Sequence, residues 1–98
     1  MPNMIRHVVF FSAKDKKDLD VIYDGLLILK TNPHANHLEI SHNLQTDALT
    51  GTKVDIVVYA EFSDEDQLAA YKAHPIYQES IDKVRPLREL RMAADFKA

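Results

Sequence analysis

Histidine and tyrosine carry whatever chemistry this chain can do. Tyr71, His74 and Tyr77 recur at every third position, so on a helical path they lie along one side. A phenol and an imidazole placed so at the mouth of a cavity can bind and polarise a carbonyl or another phenol. Pro75 bends that path, and the plainer reading has Tyr71 filling the core while His74 caps or ends the helix. His7 is the other candidate, because it alternates in step with Ile5, Val9 and Phe11. An imidazole on that apolar face is buried, and a buried imidazole needs a hydrogen-bond partner or a functional use. His34 and His37 have a spacing that could bring two imidazoles to a metal, but no third ligand lies close in sequence. No metal site is expected there, and His42 has no evident partner.

Several other chemistries are excluded. The chain has no cysteine, which removes disulfides, thiolate zinc sites and cysteine nucleophiles together. GxGxxG, Walker, GxSxG and HExxH patterns are missing, and two glycines in 98 residues make a phosphate-cradling loop implausible, so no cofactor is expected. A net charge of -3, with the 12 Lys and Arg scattered, argues against nucleic acid or an anionic membrane as partner. The apolar run from Ile5 to Phe11 is broken by Arg6 and His7 and is far shorter than a signal core or a spanning helix. The expectation is a soluble cytoplasmic protein. Asp64, Glu65 and Asp66 read as an exposed helix start rather than as paired catalytic carboxylates.

The elements that must position these residues follow from periodicity. Residues 4–12 read as a strand, with Ile5, His7, Val9 and Phe11 on one face and Arg6, Val8, Phe10 and Ser12 on the other. Asp15 can cap a helix over residues 16–30, in which Leu19, Ile22, Tyr23, Leu26 and Leu29 form one apolar stripe. Gly25 within it suggests close packing against the sheet, and Asn32-Pro33 ends it. Alternation over 36–44 predicts a second strand, followed by a polar loop over 45–53.

Residues 53–62 form the strongest strand pattern. Val54, Ile56, Val58, Ala60 and Phe62 face one side, and Asp55, Val57, Tyr59 and Glu61 the other. Ser63 with Asp66 resembles a capping box opening a helix near Asp64. His74-Pro75 interrupts that helix, a second helical segment runs over 76–85, and Pro86 stops it. A last strand over 87–97 carries Leu90, Met92, Ala94 and Phe96 on one side.

This β-α-β-β-α-β order is the ferredoxin-like arrangement of the α+β class, with the helices on one face of an antiparallel sheet, and it fills residues 1–98 as a single domain. No helix remains for the other face. Val8, Phe10, Val57 and Tyr59 would form an uncovered apolar patch there, so a homodimer joined sheet to sheet about a two-fold axis is expected.

The opening MIRHVVFF, the central DIVVYAEFSDEDQLAAYKAHPIYQ and the closing VRPLRELRMAADF together resemble the stress-responsive dimeric α/β-barrel (Dabb) family over essentially the whole chain. The resemblance implies a ferredoxin-like protomer whose sheet packs on its mate's to make a dimeric α/β barrel. Many members have no assigned activity, some plant members are linked to stress, and an enzymatic branch cyclises linear polyketides with a tyrosine and a histidine. By position, that tyrosine matches Tyr71, and its strand and helix-end histidines match His7 and His74. The branch's His-Pro-x-His run has Tyr77 in its last place here, and its cavity histidine on the central strand is replaced by Ile56. A neutral phenol is a poor base at pH 7, which weighs against cyclase chemistry of that type.

The expectation is thus a homodimer with a small, largely apolar cavity in each protomer, bounded by His7, Ile56, Tyr71, His74 and Tyr77, that takes a small apolar or aromatic ligand. His7, Tyr71 and His74 are its acid-base candidates. The alternatives are a structural or stress-related dimer without an active site, and a cyclase-like or cofactor-free monooxygenase-like enzyme.

Overall fold

The computed structural model describes residues 4–46 and 53–98, so most of the expected polar loop over 45–53 lies outside the described residues. Strands β1 (Ile5–Ala13), β2 (His37–His42), β3 (Ile56–Phe62) and β4 (Arg88–Lys97) form one antiparallel sheet in the order β2-β3-β1-β4. Helix α1 (Leu19–Leu27) joins β1 to β2, while α2 (Glu65–Ala73) and α3 (Pro75–Val84) join β3 to β4. This is the ferredoxin-like fold.

Alternation along the two central strands decides where the core lies. Ile5, His7, Val9 and Phe11 of β1 are buried together with Ile56, Val58, Ala60 and Phe62 of β3, and the helices cover this face. The helix expected over residues 16–30 is α1 flanked by two 3-10 turns, Lys16–Asp18 and Ile28–Thr31. Asp15 caps the first of these, its carboxylate accepting from the Lys17 N–H at 3.1 Å. The stripe buries Ile22, Leu26 and Leu29, with Leu19 and Tyr23 packed against the core.

The start of α2 differs from expectation by one residue. Asp64, not Ser63, is the cap: its carboxylate accepts from the Gln67 N–H at 2.8 Å. The Gln67 amide oxygen accepts in turn from the Ser63 N–H at 2.5 Å, which the shorter Asp66 side chain does not do. Asp55, just before β3, is buried by two donors: the Ala13 N–H at 3.0 Å and the Lys16 ammonium at 2.6 Å. It ties the end of β1 to the start of β3.

Gly25 marks a close approach, but to α3 rather than to the sheet. A Cβ there would sit 2.9 Å from Val84 Cγ2, and the Ser80 hydroxyl donates to the Gly25 carbonyl at 2.8 Å. Gly25→Ala is therefore expected to destabilise the fold by about 1 kcal/mol, since overpacking costs of about 1–3 kcal/mol exceed the helix-propensity gain of about 1 kcal/mol. Thermal unfolding should show a midpoint lower by about 4–8 °C; an unchanged or raised midpoint would show that Val84 yields freely.

Candidate functional site

His7 sits in the middle of β1, 1% exposed, with ring edges toward Phe62 at 6.2 Å and Tyr71 at 6.3 Å between centroids. Pairing of β1 with β4 places Asp95 directly opposite His7, and His7 Nδ1 makes a short hydrogen bond to Asp95 Oδ1. An ionised carboxylate only accepts, so Nδ1 carries the proton and Nε2 of the neutral ring is left as the basic nitrogen. Burial lowers the His7 pKa below its ordinary value even though the hydrogen bond and charge of Asp95 oppose the shift. At neutral pH the ring is an oriented, uncharged base.

Tyr71 lies in the last turn of α2 and is 1% exposed. Its carbonyl accepts from the Asn32 side-chain amide at 3.0 Å, which pins the end of α2 to the chain leaving α1. Its ring packs against Phe62 at 4.9 Å and Tyr77 at 5.3 Å. Burial, reinforced by neighbouring Tyr77, pushes the Tyr71 phenol well above its ordinary pKa. It remains a hydrogen-bond donor across the working range of pH.

A cavity lies between the sheet and the helices. His7, Val9, Phe11 and Val58 form its floor, Tyr71 its inner wall, and Tyr77 with Ser80, Ile81 and Val84 of α3 its roof. Arg88 and Arg91 of β4 stand at its rim, where Arg91 Nη2 donates to the Tyr77 hydroxyl at 3.3 Å. The cavity holds about 30 Å³. By the usual requirement of roughly 10–15 Å³ per water, that is room for about two waters and not for an aromatic ring.

Of the residues expected to bound one cavity, His7, Tyr71 and Tyr77 do so, whereas Ile56 and His74 are not part of its wall. Ile56 is fully buried near the start of β3, paired with His42 on one side and Phe11 on the other. His74 ends α2 and begins α3: its Nδ1 accepts from the Ile76 N–H at 3.1 Å, and its ring meets His34 edge-on at 5.7 Å. The helix break at Pro75 turns His74 to this capping role and carries Tyr77 into the roof. His37 lies beside Glu39 at 3.3 Å, and His42 stacks on Tyr23 at 4.7 Å. Among the described residues no group of three metal-ligating side chains comes together.

Asp95, Arg88, Arg91 and Ser80 are the site residues that sequence reasoning missed. The signal was present in β4, where Leu90, Met92, Ala94 and Phe96 alternate with Arg91, Ala93 and Asp95. Assigning the apolar set to the uncovered face puts the polar set beside His7, but that requires the β1–β4 register.

Because the folded state holds His7 neutral, the unfolded chain binds its proton more readily. The His7 contribution to stability is therefore fully present above pH 6.5, its ordinary pKa, and is lost as pH falls below that value. Urea unfolding at pH 7.5 and 5.5 should show a loss of stability on acidification that is smaller in His7→Gln. An equal pH dependence in both proteins would contradict this.

The family follows from the sequence comparison, and the structural comparison agrees on the fold. The profile described as the stress responsive A/B barrel domain matches residues 5–98. No curated protein matches the chain in sequence. A dimeric ferredoxin-like protein of unknown function from Thermobifida fusca YX is 22% identical, with 100% of this chain and 93% of that one covered and a TM-score of 0.81. A Dabb family protein with a ferredoxin-like fold from Mesorhizobium loti is 22% identical, covers 98% and 97% of the two chains, and has a TM-score of 0.79. A hydroxynitrile lyase from Passiflora edulis is 17% identical over 100% of this chain and 95% of that one, with a TM-score of 0.80. At these identities the structural likeness is one of fold, while the profile spans nearly every residue: the chain belongs to the stress responsive A/B barrel (Dabb) family.

Proposed function

We propose that the protein is a homodimer that binds a small, largely apolar or aromatic molecule in the cavity between sheet and helices, and that His7 acts on it as a base. The observation that carries this reading is the buried His7 at the cavity floor, facing Tyr71 and hydrogen-bonded to the partly exposed Asp95. A proton taken from an acidic C–H or O–H of the ligand would go to His7 Nε2, and Asp95 would stabilise the cation so formed. The Tyr71 O–H would donate to the neighbouring oxygen on which negative charge develops. A ring enters only when Tyr77 moves, and Tyr77 is half-buried and tethered at its hydroxyl by one 3.3 Å hydrogen bond.

The dimer reading rests on the uncovered sheet face. Val8, Phe10, Val57 and Tyr59 are only half-buried there, and β4 adds Met92 at 56% and Phe96 at 49% exposure. The β2 row of His37, Glu39 and Ser41 is polar, so the apolar patch spans β3, β1 and β4. The known dimeric ferredoxin-like protein from Thermobifida fusca lends support by analogy of fold.

The small cavity favours a second reading, a structural or stress-related dimer with no active site. Two measurements separate them. Native mass spectrometry is expected to give twice the 11.2 kDa chain mass, with Phe10→Lys shifting the protein toward the monomer by placing an unpaired charge in the contact; a monomeric parent protein would overturn the dimer. In ligand-observed NMR with small aromatic fragments, His7→Gln and Tyr71→Phe should each weaken binding by about five- to tenfold, the worth of about one hydrogen bond. Absence of binding, or binding indifferent to both substitutions, would establish the structural reading instead.

A further inference from the structure

The rim of the cavity carries charge that the base chemistry does not use. Arg88 and Arg91 both line it, and Arg85 lies just before them at the end of α3. Among the described residues none of the three takes part in an ion pair: the carboxylates in such pairs are held by His7, Lys16, Lys17, His37 and Lys97. The Arg91 fork instead reaches a neutral phenol, Tyr77, at a long 3.3 Å. Arg88 is partly buried, and its pKa is lowered first by that burial and then by the charges of Arg91 and Arg85. Like charges that lower one another's pKa at an apolar rim, without counter-charge, are stabilised when an anion binds beside them.

We propose, building on the ligand-binding reading above, that this rim is a carboxylate clamp: Arg88 and Arg91 hold the carboxylate of a small organic acid whose apolar body runs inward over Phe11 and Val9 toward His7. The carboxylate is the right partner for a planar fork, since it accepts two parallel N–H bonds. Register sets the reach. Arg91 pairs with Phe11 and Asp95 with His7, so the anchor and the base lie four residues apart along neighbouring strands, roughly 13 Å at about 3.4 Å per residue. The arginine side chain covers part of that span, and the remainder matches the length of a ring and a short tether, which enter once Tyr77 moves. A carboxylate that takes Arg91 also removes the hydrogen bond to the Tyr77 hydroxyl, and so frees the side chain that narrows the cavity.

The test uses benzoate, phenylacetate and hydrocinnamate against their uncharged amides, with inorganic phosphate as a further probe, and follows the His7 and Tyr71 ring resonances by NMR. At least one acid is expected to bind about tenfold or more tighter than its amide. In the Arg88→Gln/Arg91→Gln protein the preference for acid over amide should vanish. Acids and amides binding equally would overturn the clamp and leave the cavity reading standing, as would a preference that survives the double substitution. Phosphate displacing the acids at comparable concentration would overturn carboxylate selectivity. Failure of acids and amides alike to shift either ring would overturn the cavity reading, and the clamp with it.

Discussion

The structure depends on the position of β1 between β3 and β4, because a central strand must send alternate side chains to opposite faces of the sheet. One alternation buries Ile5, His7, Val9 and Phe11 under the helices; the other sends Arg6, Val8 and Phe10 to the uncovered face. Neither set can be moved without the other. A slip of one residue would expose the first set and bury Arg6 in the core. The same alternation therefore buries the His7 imidazole and leaves an apolar surface on the face without helices.

Burial then sets the protonation states of His7 and Tyr71. For His7, desolvation outweighs the pull of Asp95, so the ring stays neutral while the hydrogen bond selects its tautomer. For Tyr71 the same desolvation acts on an acid and keeps the phenol protonated. Asp95 lies on the edge strand β4 with its side chain 37% exposed. A neutral imidazole and a protonated phenol thus lie side by side among apolar side chains.

The helix break is what separates the two candidate groups of the Tyr71-His74-Tyr77 run. A straight helix would place all three along one side, but Pro75 cannot donate a backbone hydrogen bond, and His74 adopts extended backbone between α2 and α3. His74 then serves the first N–H groups of α3, while Tyr71 and Tyr77 face each other across the break. Close contact of α3 with α1 at Gly25, backed by the Ser80 hydroxyl, holds the roof at the height that leaves the cavity narrow.

Element types, their order and the two-sided apolarity of β1 were legible in the residues, because strand and helix periodicities are local and need only a short window of sequence. His7, Tyr71 and Tyr77, marked by an apolar neighbourhood or by helical spacing, do line the cavity between sheet and helices. Ile56 entered the expected site by analogy and His74 by helical spacing as well as analogy, and neither lines the cavity. Asp95, Arg88 and Arg91 became site residues only through the pairing of β4 with β1, across 88 positions of chain for His7 and Asp95. Periodicity states that a strand has two faces; which face meets the helices, and which residue of a distant strand stands opposite, is decided by packing between segments far apart in the chain.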